Sequence, residues 1–206
     1  MIRNIIFDIG RVLAVYDWET YLKSYGFEPE KEAAIANAMF AGPVWAELDR
    51  GAWPVDRLLK EFTARAPQYR DSILEVFDKA EGCIRKLDYA KPWIASLKEQ
   101  EYRVYYLSNY SKLMVDKTLS ALDFLPLMNG GLFSYEVKQV KPEPEIYRSF
   151  LSRYPQVLPG ESVFLDDRPE NIRAAAAFGI EGILFQSREQ AANELEALLK
   201  TRNHSF

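Results

Sequence analysis

Three short polar clusters, far apart in the chain, each close an apolar run. Asp8 follows Ile5-Ile6-Phe7, Ser108-Asn109 follow Val104-Tyr105-Tyr106-Leu107, and Asp166-Asp167 follow Val163-Phe164-Leu165. A fourth cluster, Lys141-Pro142-Glu143-Pro144-Glu145, puts an ammonium just ahead of a helix that prolines start. Carboxylates, a hydroxyl and a cation are the groups that phosphoryl transfer requires. A phosphate ester is anionic, so its cleavage needs positive charge around the equatorial oxygens and a nucleophile in line with the leaving group. A carboxylate can be that nucleophile, forming an acyl-phosphate that water then hydrolyses. Carboxylate and phosphate repel each other, so a hard cation with oxygen ligands must bridge them, and Mg²⁺ suits that task. Asp8, Asp166 and Asp167 can supply the oxygens. Ser108 offers a hydroxyl, and the turn after it offers backbone N–H groups to a phosphate. Each cluster alone has a plainer reading: Asp8 as a turn residue, Ser108-Asn109 as a helix N-cap, Asn171 as a support for a helix start. Two adjacent acids at the end of a buried strand are costly unless something pairs them.

The elements that must position these groups can be read from pattern. The three apolar runs have the length and the β-branched or aromatic content of buried strands, and a fourth, Ile180 to Phe185, follows the helix stop Gly179. Helical stretches alternate with them: Tyr89–Gln100, Ser111–Leu122, Glu143–Tyr154, Pro169–Phe178 and Arg188–Leu199. Alternation of this kind predicts an α/β fold, with a parallel sheet between helices. In such sheets the ligand crevice lies beyond the carboxyl ends of the strands, and Asp8, Ser108 and Asp166 all sit at such ends. The stretch from about Tyr16 to Leu87 breaks the alternation. It reads as consecutive helices, Trp18–Tyr25, Glu30–Phe40, Val44–Arg50, Val55–Ala66 and Tyr69–Ala80, interrupted at Gly51, Pro54 and Pro67. Residues 1–15 and 88–206 are therefore expected to form the core, and 16–87 an inserted all-helical cap. The tail from Arg202 is expected to fray.

Composition excludes several classes. The 206 residues, 48% apolar and 27% charged, suit a globular domain with a small insertion. Net charge is −4 with no basic tract and no aromatic–basic interleaving, so nucleic acid is not an expected partner. No apolar run approaches the roughly 20 residues of a membrane span, and no leader pattern opens the chain, so a cytoplasmic location is expected. The single cysteine, Cys83, has no bridging partner and reads as a small core hydrophobe. The single histidine, His204, lies near the terminus and is not expected in a site. Arg11 and Arg50 are candidate pocket cations for a phosphorylated substrate. Lys138 reads as a surface residue. Trp18, Trp45 and Trp53 either line a pocket or pack the inserted helices.

Taken together, these clusters resemble the four motifs of the haloacid dehalogenase superfamily, in the family's order. Phe7-Asp8-Ile9-Gly10-Arg11-Val12-Leu13 resembles the first, Leu107-Ser108-Asn109 the second, Lys141-Pro142 the third, and Phe164-Leu165-Asp166-Asp167 with Asn171 the fourth. The resemblance covers nearly the whole chain and is greatest to the phosphatase-like branch with Asp-x-Gly in the first motif, which includes a bacterial glucose-1-phosphate phosphatase. It implies a modified Rossmann-like core with a helical cap, and Mg²⁺-dependent hydrolysis of a small phosphorylated metabolite. It further implies that Asp8 attacks phosphorus and ligates Mg²⁺, that the Gly10 carbonyl and Asp166 also bind the ion, and that Asp167 acts through water or Lys141. Ser108 and Asn109 would hold phosphate oxygens, and Lys141 would neutralise Asp8 and the phosphoryl group. The chain departs from many family phosphatases at Gly10, where a second Asp serves as general acid. Without that acid, esters with good leaving groups, such as aryl or sugar 1-phosphates, are the expected substrates. Two alternatives share the resemblance: a non-catalytic binding or regulatory module, and a 2-haloacid dehalogenase, which would need no magnesium-holding pair like Asp166-Asp167.

Overall fold

The structure, a computed structural model, describes residues 1–203. His204 and the last residues of the tail lie outside the described residues. The chain begins with strand β1 (Asn4–Phe7) and a short strand β2 (Ala14–Tyr16), followed by five helices: α1 (Trp18–Lys23), α2 (Pro29–Ala38), α3 (Val44–Arg50), α4 (Val55–Arg65) and α5 (Arg70–Asp78). Strand β3 (Ile84–Lys86) pairs antiparallel with β2, Ala14 opposite Lys86 and Tyr16 opposite Ile84. The two passages of chain between the sheet and the helical block thus run side by side. Next come α6 (Ala90–Glu99), β4 (Arg103–Ser108), α7 (Lys112–Lys117), β5 (Gly130–Phe133), α8 (Ser134–Val137) and α9 (Pro144–Arg153). The chain ends with β6 (Ser162–Asp166), α10 (Pro169–Ala176), β7 (Glu181–Leu184) and α11 (Arg188–Asn203).

Five strands form one parallel sheet in the order β5-β4-β1-β6-β7. β1 is central, with Phe7 opposite Tyr106 on one side and Leu165 on the other. Chain order runs outward from β1 in both directions, so β1 marks the point where the crossovers reverse and a crevice opens at the carboxyl edge. Alternate residues face alternate layers. Ile5, Phe7, Val163 and Leu165 pack on one face with Trp93, Ile94 and Leu97 of α6 and Leu195 of α11. Ile6, Tyr105 and Phe164 pack on the other with Ile146, Tyr147 and Phe150 of α9. Both faces are buried, as near-continuous apolar strands require. The first of these layers continues without a break into the helical block through Leu22, Ile35, Leu58 and Phe62.

Some boundaries differ from expectation. The helix expected over Ser111–Leu122 ends at Lys117 and continues as a 3₁₀ turn over Leu119–Leu122. Helix α11 carries Arg202, expected in the frayed tail, and its guanidinium pairs with Glu181 at 2.8 Å. Strand β5 was not expected from the pattern, because its Gly130-Gly131 start is poor strand sequence. The structure supplies the reason for the glycine: a Cβ on Gly131 would lie 2.2 Å from the Tyr106 ring, which covers that backbone.

Candidate active site

Asp8, Ser108 and Asp166 are delivered by the carboxyl ends of β1, β4 and β6, and Lys141 by the loop ahead of α9. Asp8 lies one residue beyond β1, its N–H bonded to the Leu165 carbonyl at 2.8 Å, so the central ladder fixes its backbone. The chain then wraps the Ile9 carbonyl, which accepts from the N–H groups of Val12, Leu13 and Ala14 at 3.2, 2.8 and 2.9 Å. This tight turn holds Gly10 beside Asp8. Gly10 does not need to be glycine for conformation or room: its φ lies outside the left-handed region, and a Cβ there would meet only the Tyr16 Cβ, at 3.7 Å.

Lys141 is buried and stands between two carboxylates, its Nζ 2.9 Å from Asp8 Oδ1 and 2.6 Å from Asp166 Oδ2. Its ammonium also lies 5.2 Å from the centre of the Phe164 ring, an apolar support. Its backbone is clamped by Asn109. The Lys141 N–H donates to Asn109 Oδ1 at 2.7 Å, and Asn109 Nδ2 donates to the Lys141 carbonyl at 3.0 Å. The second and third motifs are thereby joined through one side chain, a contact that spacing alone does not reveal. Ser108 is buried at the end of β4, close enough to the Asp8 carboxyl for its hydroxyl to favour the ionised form.

Asp166 is the most saturated acid. Its Oδ1 accepts from the Arg168 N–H at 2.8 Å and from Asn171 Nδ2 at 2.9 Å; its Oδ2 accepts from Lys141 at 2.6 Å and from Asn171 Nδ2 at 3.0 Å. Asn171 thus orients Asp166 in addition to its place in the first turn of α10, and its own Oδ1 is buried without a donor. Asp167 has no hydrogen bond or ion pair with another side chain among the described residues. Lys141 therefore reaches Asp166 rather than Asp167.

Carboxylate oxygens of Asp8, Asp166 and Asp167 come within 4.8 Å of one another. The crowding bears on the charge state of two of them. Burial pushes the Asp8 carboxyl up to about 6, against the pull of Lys141 and with a push from Asp166. Burial and Asp166 likewise raise Asp167. One lysine does not balance three acids, two of them buried, and a divalent cation with oxygen ligands is the species that would.

Asp8, Ser108, Lys141 and Asp167 open onto a cavity of about 580 Å³. Its far wall comes from the helical block: Trp18, Phe40 and Trp45, with Trp18 stacked on Phe40 at 5.2 Å and Phe40 against Trp45 at 4.7 Å. Trp18 and Trp45 therefore pack and line at once, whereas Trp53 lies under the Arg57 guanidinium, away from the cavity. Arg11 borders the cavity but pairs with Glu19 at 3.1 Å and donates to the Tyr16 carbonyl. Arg50, expected as a pocket cation, lies outside the cavity wall. Its guanidinium instead holds Glu143 in a fork, at 2.8 and 2.6 Å, the two-point geometry a guanidinium makes with a carboxylate. Lys138 is exposed and donates to the Gly51 carbonyl. Cys83 is buried with its thiol on the Ala80 carbonyl, and burial pushes it up to about 12, an inert thiol.

One cavity residue escaped the sequence reading. Asp49, on α3, lines the same space. No side chain partners its carboxylate among the described residues, and burial together with the Asp8 charge pushes it up to about 7. Its only sequence signal was an acid one position before the Arg50-Gly51 helix end, which reads as solvated surface.

A parallel sheet with this strand order, carrying a nucleophile-type Asp, a Ser, a Lys and an acid pair at its carboxyl edge, defines a class of hydrolase. A family model for haloacid dehalogenase-like hydrolases matches residues 4–179, and the chain belongs to that family. It is 26% identical to D-ribitol-5-phosphate phosphatase of Bacteroides thetaiotaomicron, over 98% of this chain and 100% of that one. It is 44% identical to mouse acyl-CoA dehydrogenase family member 10, over 96% of this chain but 19% of that protein. Against drimenol cyclase drtB of Aspergillus calidoustus, 24% identical, it spans 36% of the relative's length. Among solved structures, a HAD-like hydrolase from Porphyromonas gingivalis superposes with a TM-score of 0.76 at 22% identity, covering 97% and 98% of the two chains. The Bacteroides thetaiotaomicron family member bt-2542, solved with magnesium and inorganic phosphate, gives 0.67 at 21% identity, covering 91% and 96%.

Proposed function

We propose that this chain hydrolyses a small phosphate monoester through an aspartyl-phosphate on Asp8. The observation that carries the reading is the buried triangle of Asp8, Lys141 and Asp166 facing a cavity beside the free carboxylate of Asp167. The donor set fits Mg²⁺, which bt-2542 holds together with phosphate. Asp8, Asp167 and the Gly10 carbonyl would hold the ion. Asp166, implied by the resemblance to be a direct ligand, has both oxygens engaged by Lys141, Asn171 and the Arg168 N–H, so we assign it to holding Lys141. When bound, the ion screens the repulsion between the carboxylates and an incoming phosphate.

The protein's own groups then divide the work. Asp8 presents an oxygen to phosphorus from a backbone fixed by β1. Lys141 lies beside the attacking carboxylate, where it attracts the phosphoryl oxygens without itself moving. Ser108 and the Asn109 backbone N–H bind two of those oxygens. We take residues 16–87 as a cap whose aromatic wall of Trp18, Phe40 and Trp45 covers the leaving group. That wall suits a substrate with an apolar or ring face, as a sugar phosphate has. The acid pair separates this reading from a dehalogenase, which has no phosphoryl group to neutralise.

The test is turnover of a panel of phosphorylated metabolites with Mg²⁺, beside an Asp8→Asn control. Wild type should release inorganic phosphate from at least one ester, and EDTA should stop it. Asp8→Asn should lose all measurable turnover while keeping its circular dichroism spectrum. Retention of more than about a tenth of wild-type kcat, less than ~1.4 kcal/mol of barrier, would refute Asp8 as the nucleophile.

A further inference from the structure

We propose that Asp49, contributed by helix α3 of the inserted block, is the general acid and base of the reaction, in place of the side chain that Gly10 lacks. The inference rests on the phosphatase reading above and adds a catalytic residue to it. Three observations support it. Asp49 lines the cavity together with Asp8, Ser108 and Lys141, and Trp45 and Ala46, one helical turn before it, line the same cavity. The carboxylate of Asp49 has no hydrogen bond or ion pair among the described residues, although Arg50 beside it is fully engaged by Glu143 and Glu47. Its backbone is pinned to the sheet side of the cavity, the Asp49 carbonyl accepting from Ser134 Oγ at 2.6 Å, and Ser134 Oγ accepting in turn from the Tyr110 N–H two residues beyond Ser108. A pinned backbone with an unpartnered carboxyl is the arrangement of a group kept for a substrate. The shift of that carboxyl up to about 7 keeps a protonated fraction available near neutrality.

The chemistry balances in two steps. Asp8 attacks phosphorus, the bond from phosphorus to the leaving oxygen breaks, and the Asp49 carboxyl gives its proton to that oxygen, releasing an alcohol. Asp49, now a carboxylate, takes a proton from water as the water oxygen attacks the aspartyl-phosphate. The bond from phosphorus to Asp8 breaks, inorganic phosphate leaves, and Asp8 and Asp49 return to their starting forms. A wild-type enzyme equipped this way hydrolyses poor as well as good leaving groups, contrary to what Gly10 alone would suggest.

The experiment measures kcat/KM and kcat for wild type, Asp49→Asn and Asp8→Asn, with Mg²⁺, across phosphate esters graded from nitrophenyl to primary alkyl leaving groups. Wild type should show a shallow dependence on leaving-group pKa. Asp49→Asn should lose about 10²–10⁴-fold in kcat/KM on alkyl esters and little on the most acidic phenols, whose oxygen needs no proton. On those phenyl esters its kcat should fall while kcat/KM holds, with a burst of phenol matching the enzyme concentration, because water attack has lost its base. Retained kcat/KM on the phenyl esters doubles as proof that the variant is folded. An even loss across the series, or no loss, would overturn the role of Asp49 with the phosphatase reading intact. Absence of wild-type turnover on every ester would overturn both.

Discussion

Replacing Lys141 with alanine removes the ammonium that, among the described residues, alone bridges Asp8 and Asp166, whose carboxylates are both buried. Removing one partner of a buried pair leaves uncompensated charge and costs about 3–5 kcal/mol. The loss of a preorganised cation should also lower turnover by about 10²-fold or more. Lys138→Ala, three residues earlier, removes only an exposed contact with the Gly51 carbonyl and should stay within about 0.5 kcal/mol of wild type. Urea unfolding and initial rates on the two variants test this pair together, and reversed effects would mean that Lys138 is the phosphate-facing cation. At this scale the sequence shows residue types better than partners. Asp8, Ser108, Lys141 and Asp166 were legible because each closes a strand or opens a proline-started helix. The different partners of Asp166 and Asp167 were not, because adjacent acids differ only in where the turn after β6 points them. Arg50 misled for a related reason: a cation near a site goes to the nearest carboxylate, and Glu143 is distant in sequence.

Strand β5 shows what element-level reading misses and what the structure can test. Gly130-Gly131 weakens any strand pattern, yet Gly131 sits where the Tyr106 ring covers the backbone, with ring carbons 2.2–2.5 Å from the position of a Cβ. Gly131→Ala should therefore displace Tyr106 or the strand, a small-to-large change costing about 1–3 kcal/mol. A urea midpoint indistinguishable from wild type would show that the ring moves aside freely. Helix α3 is the second informative element. Its seven residues were legible from Pro43 and Gly51, and Gly51 does take the left-handed cap conformation at φ 62°. Its attachment was not legible, because the Arg50–Glu143 fork joins the helical block to a segment between β5 and β6 that is distant in sequence. Arg50→Ala should loosen α3 and with it Trp45 and Asp49. Since a misplacement of about 1 Å can cost up to about 10²-fold, kcat/KM should drop more than the modest stability loss of a half-exposed pair implies. Loss of stability without loss of rate would make the fork merely structural.

Across the whole molecule, the alternation of strands and helices was enough to give the parallel sheet, and the break in that alternation gave the helical block. The β2–β3 ribbon was too short to read, at three residues a strand. What the sequence could not supply is the burial of Asp8, which is created by layers contributed from both ends of the chain. That burial makes a prediction about the protein as a whole. For a carboxyl whose folded pKa lies above its unfolded value of 3.8, the folded state holds the extra proton. Stability then falls as pH rises from the unfolded pKa to the folded one. Asp8, raised to about 6, and Asp49, raised to about 7, both act in this sense between pH 4 and 7. Bound Mg²⁺ would favour ionised Asp8 and Asp167 in the folded state and reverse the sign for those groups. Carboxylates held down elsewhere, such as Glu143 beside Arg50, contribute equally with and without the ion and cancel in the difference. The rise in Tm on adding Mg²⁺ should accordingly be small at pH 5 and grow through pH 7.5, reaching about 2.7 kcal/mol of stabilisation at a hundredfold excess over Kd. Asp167→Asn should flatten that growth. A shift in Tm equal at all pH values, or one that Asp167→Asn leaves intact, would place the ion away from these carboxylates.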